Sequence, residues 1–168
     1  MSTETILGRR SIRQYTAESV SQEQVRLLLE AAMSAPSAGN EQPWHFIVIR
    51  EHALLSACAD IHPHAGMAAR APLAVLLCAD PALEKHTGFW PQDMAACTEN
   101  LLLAAHAEGL GAVWVGIYPR EERMQAFVEL FGLPAGIVPF SLVPIGHPAE
   151  KKAAEDRFKS DRLHLERW

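Results

Sequence analysis

The chain has 168 residues, of which 49% are hydrophobic and 21% are charged, so its length fits one domain with a core of its own. Its formal net charge of −5 argues against a nucleic-acid-binding protein, since such proteins usually present a basic face. No uncharged apolar run is long enough to span a membrane, and residues 1–13 lack the apolar centre of a signal peptide. We therefore expect a cytoplasmic protein that contacts neither membrane nor nucleic acid.

The first clear element is an amphipathic helix that begins at Ser21. Ser21 and Gln24 have the spacing of a capping box, apolar residues then recur at helical spacing, and Pro36 cannot continue the helix. Residues 35–43 are turn formers and predict a single loop. The aromatic and β-branched run over 44–49 predicts a short strand.

The rest of the chain alternates between helical and extended patterns. We predict helices over 51–59, 91–108 and 120–131, strands over 72–79, 111–118 and 138–146, and an extended arm over 147–168. The helix over 91–108 is apolar on nearly every side, which is typical of a helix buried in the middle of a structure. The connection over 79–90 shows no clear helix, so the pattern favours an α+β fold over a regular α/β repeat.

Two compositional features bear on redox state and assembly. Cys58, Cys78 and Cys97 stand alone in apolar segments, which predicts reduced, buried thiols. The charged fraction of 21% lies below the average of about 25%, which hints that some apolar surface meets a partner chain.

Three arginines and a hydroxyl stand together near the N-terminus, in the run Arg9, Arg10, Ser11, Ile12 and Arg13. Guanidinium groups pair bidentately with phosphate oxygens and keep their charge at any working pH, so this run is a candidate phosphate site. Short basic clusters are also common on solvated turns, and composition alone leaves that alternative open.

The loop over 36–44 offers hydroxyl, amide and backbone donors between a helix end and a strand start. Loops on rigid scaffolds often hold ligands in this way. Asn40 and Gln42 can both donate and accept hydrogen bonds, which suits the mixed edge of a heterocycle. A plain connecting turn remains the alternative.

Glycines bracket the apolar segment over 109–116, and Gly116 would let the backbone approach a flat ligand closely. The segment is not a GxGxxG and opens no helix, so a dinucleotide fingerprint is not supported. Simple packing of a buried strand explains the segment equally well. His62 and His64 have no acid or cysteine at a matching spacing, so we predict neither a metal site nor a catalytic triad.

Together and in this order, the three motifs resemble the FMN-dependent nitroreductase family, with this chain as a short member. The runs 9–15, 35–46 and 109–116 are similar to the family's N-terminal phosphate motif, its most recognisable loop and strand, and the segment that runs along the flavin. The ending over 161–168 is similar to that of short members, so the resemblance covers essentially the whole chain.

The resemblance implies an α+β fold, with a central, mostly antiparallel sheet flanked by helices, built as an intertwined homodimer. Residues 1–168 would form a single domain with an extended C-terminal arm from about 147. Two FMN molecules would lie at the subunit interface, each contacted by both chains.

The resemblance also implies which residues bind FMN. The phosphate and ribityl chain would be held by Arg9, Arg10, Ser11 and Arg13. The other subunit would contribute Pro36, Ser37, Ala38, Asn40 and Gln42. The isoalloxazine would face Trp114, Val115 and Gly116. A basic pair near the C-terminus, Arg157 and Lys159, would complete the phosphate site.

One family feature is absent from this chain. Many members carry a lysine aimed at the pyrimidine edge of the flavin, but the matching stretch over 64–67 has none, and Arg70 is the nearest cation that could replace it. The chain also lacks the long inserted helices that shape the substrate pocket of classical members, so their substrates cannot be carried over.

The implied activity is reduction of nitroaromatic, quinone or similar electron-poor small molecules at the expense of NADH or NADPH. The mechanism would be ping-pong, with FMN carrying the hydride chemistry and no side chain acting as nucleophile or obligatory acid. Two alternatives stay open: another flavin reaction on the same fold, such as flavin fragmentation or dehalogenation, and a non-catalytic flavin-binding module.

Overall fold

The computed structural model describes residues 3–168, in which helices and strands alternate as the sequence predicts. The helices are α1 Thr3–Gly8, α2 Gln22–Met33, α3 His52–Ile61, α4 Trp90–Ala107 and α5 Glu121–Phe131. The strands are β1 Trp44–Ile49, β2 Leu73–Ala79, β3 Gly111–Ala112, β4 Val115–Gly116 and β5 Val138–Gly146. The α+β fold is confirmed, and no helix in the described part of the chain is long and apolar enough to cross a bilayer.

The strands form one antiparallel sheet with β2 and β5 at its centre. The strand order is β1-β2-β5-β3, and β4 also pairs with β5. Every residue of β2 is buried, as expected of a strand covered on both faces. Because neighbouring side chains of a strand point to opposite faces, β2 contributes to a separate apolar core on each side of the sheet.

One core lies between the sheet and the helices α2 and α4, and the other lies against α3 and α5. The first contains Leu28 and Leu101 from the helices, and the second contains Leu55 and Phe127. The predicted capping box is present, since Ser21 Oγ accepts from the Gln24 N–H at 3.1 Å and the Gln24 side chain accepts from the Ser21 N–H at 3.0 Å. Cys58, Cys78 and Cys97 are free and buried, as predicted.

The predicted continuous strand over 111–118 is wrong, because the structure divides it into β3 and β4. Both short strands keep one register along β5, which places the intervening Val113 opposite Pro144. Proline has no N–H to give to the ladder, and the Tyr15 hydroxyl lies 3.2 Å from the Pro144 carbonyl. The interruption turns Trp114 out of the sheet, with its ring 5.8 Å from that of Phe140.

Residues 147–168 leave the domain as a long arm. The arm contains one 3-10 turn, Ser160–Arg162, and every residue from 151 onward is exposed. Its start is fixed to the N-terminal segment, where the Ala149 N–H donates to the Gln14 carbonyl at 2.9 Å.

Candidate functional site

Two of the three sequence motifs meet in one cavity of about 630 Å³, although about a hundred residues separate them along the chain. Arg13 comes from the N-terminal motif, and Trp114, Val115 and Gly116 come from the segment around β4. The remaining lining residues are Gln14, His62, Pro63, His64, Gly66, Met67, Arg70, Val113 and Arg123.

The N-terminal motif reaches this cavity because it runs beside β3. Ser11 forms a parallel bridge with Ala112, and the Ile12 N–H donates to the Ala112 carbonyl at 3.0 Å. Gly111 permits the close approach, since a Cβ at this position would lie 2.5 Å from the Ile12 side chain. The next residue, Arg13, therefore lies at the cavity that β4 also lines.

The carbonyl of Gly116 is held by two side-chain donors. His62 Nε2 lies 2.9 Å from this oxygen, and Arg123 Nη1 donates to it at 3.1 Å. His62 Nδ1 accepts from the His64 N–H at 3.1 Å, so the proton of the neutral ring is on Nε2. Burial lowers the pKa of His62, and the nearby positive charges of Arg123 and His64 lower it further. His62 is thus a neutral donor that fixes β4.

Arg9 and Arg10, which are predicted to bind phosphate, do not line this cavity within the single chain. Arg9 pairs with Glu99 at 3.2 Å, and Arg10 Nε donates to the Ala153 carbonyl at 2.9 Å. Arg10 Nη2 is buried without a hydrogen-bond partner among the described residues, and this arginine lines a second cavity of about 310 Å³. The Ser11 carbonyl accepts from Lys152 Nζ at 2.7 Å.

The predicted flavin loop also lies apart from the cavity of its own chain. Pro36 precedes a 3-10 turn, Ala38–Asn40, and the Gln42 N–H donates to Ser37 Oγ at 3.1 Å. Gln42 Nε2 donates to Asn40 Oδ1 at 3.0 Å. Asn40 and Gln42 both adopt left-handed backbone conformations, with φ of 53° and 49°, which side chains other than glycine adopt only when the surroundings hold them.

A buried pair of carboxyl groups holds this loop against α4. Glu41 and Asp93 are only 6% and 5% exposed. Glu41 Oε2 accepts from the Lys85 N–H at 2.7 Å, and Asp93 Oδ1 accepts from the Ala38 N–H at 3.1 Å. Their other oxygens, Oε1 and Oδ2, are buried and receive no donor from a third described group.

The pKa values of the two carboxyl groups are shifted in opposite directions. Burial raises the pKa of Asp93, and the adjacent carboxylates of Glu41 and Glu84 raise it further, although the hydrogen bond from Ala38 opposes them. Burial also opposes ionisation of Glu41, but hydrogen bonds from the Lys85 and His86 N–H groups outweigh it and lower its pKa. Of the two carboxyl groups, Asp93 is therefore the one whose protonated form the surroundings favour.

Arg157 and Lys159, the predicted C-terminal phosphate pair, are on the exposed arm. Arg157 pairs with Glu155 at 3.2 Å, and neither side chain lines the cavity of its own chain.

The structure adds His62, Arg123 and the Glu41–Asp93 pair, which the sequence reasoning did not assign to the site. His62 appeared only as a weak metal ligand, and Arg123 was one charge on an amphipathic helix. A local sequence pattern does not identify such residues, because their partners are distant in sequence. For example, 54 residues separate His62 from Gly116.

Comparisons with known proteins point to one family. The Nitroreductase family model matches residues 6–77 and 64–147. A protein of Archaeoglobus fulgidus, named as a candidate NADH dehydrogenase/NAD(P)H nitroreductase, is 50% identical over 167 residues, which cover 97% of this chain and 96% of that protein.

Two solved structures show the same fold. A candidate NADH oxidase from Clostridium acetobutylicum is 42% identical and superimposes with a TM-score of 0.95, covering 98% of this chain and 99% of its own. A candidate nitroreductase from Desulfovibrio desulfuricans, solved in complex with FMN, is 34% identical, with a TM-score of 0.85 over 98% of this chain and 96% of its own.

The nitroreductase-like fold and the family that the motifs predict are confirmed by these comparisons. The names of the relatives also agree with the predicted class of enzyme, an oxidoreductase that uses NAD(P)H and FMN. With the family model matching most of the chain and half of the residues identical in one relative, this protein belongs to the nitroreductase family.

Proposed function

We propose that this protein is an FMN-dependent oxidoreductase that transfers electrons from NADH or NADPH to nitroaromatic, quinone or similar electron-poor small molecules. The observation that carries the proposal is the shared cavity, in which Arg13 and the segment Trp114, Val115 and Gly116 come together. The free, buried thiols support a reducing compartment, and we assign the enzyme to the cytoplasm.

The residues at this cavity fit a flavin mononucleotide. The cavity of about 630 Å³ is open at one edge strand, where a planar ring can lie along the backbone of Val115 and Gly116. Arg13 supplies a permanent positive charge for an anionic group. Outside this cavity, Arg10 lines the second one of about 310 Å³, and its buried Nη2, which has no partner among the described residues, is a donor that a phosphate oxygen would satisfy.

A homodimer would complete the site. The loop with Pro36, Ser37, Ala38, Asn40 and Gln42 presents its polar groups away from the cavity of its own chain, which is consistent with binding a flavin held by a second subunit. The arm carries large apolar side chains that are mostly exposed in the single chain: Phe158, Leu163, Leu165 and Trp168. A second subunit would cover them.

When bound, the flavin supplies the hydride chemistry, and the protein supplies position and electrostatics. His62 and Arg123 hold the Gly116 carbonyl and so fix the backbone N–H groups of β4 beside the cavity. No lining residue is placed as a nucleophile with a neighbouring base. Donor and acceptor would use the one cavity in turn, as a ping-pong mechanism requires.

Purification and anaerobic titration test the function. We expect a yellow protein whose released cofactor is FMN, which NADH or NADPH bleaches and which a nitroaromatic or a quinone reoxidises. A colourless protein that FMN does not stabilise thermally would contradict the proposal. A yellow protein that neither nicotinamide bleaches would instead favour the flavin-binding module, and reoxidation only by other acceptors would favour a different flavin reaction.

The phosphate assignment has its own test. The double variant Arg9→Ala/Arg13→Ala should bind FMN more weakly, since each lost charge-assisted hydrogen bond costs about 1.5–3 kcal/mol. Arg26→Ala is the matched control, because Arg26 is exposed on α2 and pairs only with Glu30. Equal FMN affinity of the double variant and the control, measured by fluorescence titration, would refute the assignment.

A further inference from the structure

The cavity that holds Arg13 and Gly116 carries an excess of positive charge. Three guanidinium groups, of Arg13, Arg70 and Arg123, line it, and none of its lining residues is an aspartate or a glutamate. The whole chain has a net charge of −5, so this concentration of cations runs against the average charge of the protein. An uncompensated group of cations in a concave site attracts and holds anions.

Two of these arginines are free to bind a ligand. The guanidinium of Arg70 makes no hydrogen bond or ion pair with any residue in the described part of the chain, and only its backbone N–H donates, to the Met67 carbonyl. Arg123 donates one hydrogen bond, to the Gly116 carbonyl, which orients its guanidinium and leaves its other donors unused. By contrast, Arg9 and Arg157 each pair with a glutamate, at 3.2 Å in both cases.

We propose that Arg70 and Arg123 select electron acceptors whose ring carries an anionic group, such as a carboxylate or a phosphate. This inference rests on the proposed function and names the class of acceptor for the same site. Arg13 is a proposed flavin contact and Arg123 is not. Arg70 is also the nearest cation to the position of the family's flavin lysine, and we assign its guanidinium, with that of Arg123, to the second molecule in the cavity; the flavin midpoint potential of the variants distinguishes the two roles. A guanidinium fork pairs bidentately with a carboxylate, which gives orientation as well as affinity.

The inference concerns one half of the reaction. In a ping-pong cycle the acceptor enters after the donor leaves. The anionic group of the acceptor would then contact Arg70 and Arg123, in a cavity that the bound flavin has made narrower. A neutral acceptor of equal shape lacks the charge-assisted bonds, and we expect it to bind about tenfold more weakly.

The test compares 4-nitrobenzoate with 4-nitrobenzamide, which share ring, nitro group and size but differ in charge. Each is titrated into the oxidised, FMN-loaded protein without a donor, and binding is followed by the change in the flavin absorption spectrum. We expect the wild-type protein to bind the carboxylate about tenfold more tightly than the amide, with the difference shrinking as salt is added.

Two variants assign the preference to named residues. Arg70→Gln removes the charge of a guanidinium that binds no other described group. Arg123→Gln removes the charge of a residue that follows the segment 114–116 in the sequence, whereas Arg70 precedes it. Each should reduce the ratio of 4-nitrobenzoate affinity to 4-nitrobenzamide affinity by several-fold. Arg120→Gln is the matched control, because Arg120 is exposed, lies three residues before Arg123 and does not line the cavity.

Steady-state turnover gives a second readout. The kcat/KM ratio of 4-nitrobenzoate to 4-nitrobenzamide should fall in both variants and stay constant in Arg120→Gln. Because the ratio is compared between proteins, differences in intrinsic reactivity of the two nitro compounds cancel.

Three outcomes would overturn the inference. The first is equal binding of the two compounds by the wild-type protein. The second is a carboxylate preference that survives in both variants. The third is that the variants change the KM for NAD(P)H or the flavin midpoint potential while the preference persists, which would assign the charges to the donor or to the flavin. A protein that binds no FMN would contradict the proposed function itself, and this result is distinct from the three outcomes that overturn only the acceptor inference.

Discussion

At the scale of single residues, the Gly116 carbonyl shows how this protein fixes a flexible position. Glycine offers no side chain for packing, and β4 is only two residues long. His62 and Arg123 compensate by donating to the same oxygen from outside the sheet. Protonation would leave the donation from Nε2 to Gly116 in place but would end the hydrogen bond that Nδ1 accepts from the His64 N–H.

His62 should therefore make the stability of the protein sensitive to acid. Its pKa in the folded protein lies below the ordinary value of 6.5, because burial disfavours the charged ring. The unfolded chain takes up the proton first, so the contribution of His62 is complete above pH 6.5 and is lost as the pH falls through its folded pKa. Urea unfolding of the wild type from pH 8 to pH 5 should show this loss.

A neutral substitute identifies the residue responsible. His62→Gln can donate to Gly116 and accept from His64 without titrating, so its stability should fall less between pH 8 and pH 5. His45→Gln, on an exposed position of β1, is the control and should follow the wild type. Parallel pH profiles for wild type and His62→Gln would show that this ring does not titrate as described.

At the scale of elements, the loop over 36–42 is held by α4 and the segment before it as well as by its own hydrogen bonds. Two of its residues, Asn40 and Gln42, have positive φ, and such a backbone persists only when other contacts impose it. The Asp93 side chain on α4 reaches Ala38 and Glu41 and so provides this restraint. The loop is therefore fixed before any ligand arrives.

The raised pKa of Asp93 should make this restraint weaken as the pH rises. The pKa of Asp93 is raised in the folded protein, so its proton contributes fully at low pH and is lost as the pH rises through the folded pKa. The neighbouring charges that act on the pair are Glu84, Lys85 and His86. Hydrogen exchange of the amides over 36–42, corrected for the intrinsic rate, should show protection that declines with pH.

Asp93→Asn should remove this decline, because its amide donates to Glu41 at every pH. Asp93→Ala should lose protection throughout the range, since it can neither donate to Glu41 nor accept from Ala38. Asp60→Asn, at an exposed position of α3, is the control for the loss of one carboxylate. If the loop exchanges at the same rate in all four proteins, the carboxyl pair does not hold it.

At the scale of the whole molecule, the arm carries the apolar surface that the proposed homodimer would cover. In the single chain, Leu163 is 60% exposed, Leu165 is 80% exposed and Trp168 is fully exposed. Apolar surface of this kind on an extended segment is costly in water and marks an interface.

Leu163→Asp/Leu165→Asp should shift the protein from dimer to monomer, because each aspartate would have to be buried at the interface. The measurement is sedimentation velocity, with FMN content determined on the same sample. Ala153→Asp/Ala154→Asp adds the same charges to exposed, small positions of the arm and should remain dimeric. A wild-type protein that sediments as a monomer and still binds FMN tightly would contradict the interface.

The sequence by itself determined the elements whose signals are local. The capping box began α2 at the predicted residue, the apolar run of β2 indicated a strand covered on both faces, and the order of the motifs identified the family. For the capping box and for β2, the residues that decide the outcome stand within one turn or one strand of each other, and each family motif is itself a short run, so local patterns contain the necessary information.

Only the tertiary structure decided what depends on distant neighbours. The break between β3 and β4 follows from Pro144, which stands opposite that segment and about thirty residues away. The cavity likewise joins Arg13 to Arg123, and the carboxyl pair joins Glu41 to Asp93. Burial and proximity set the charge state of such groups, and both arise only when the sheet brings separate parts of the chain together.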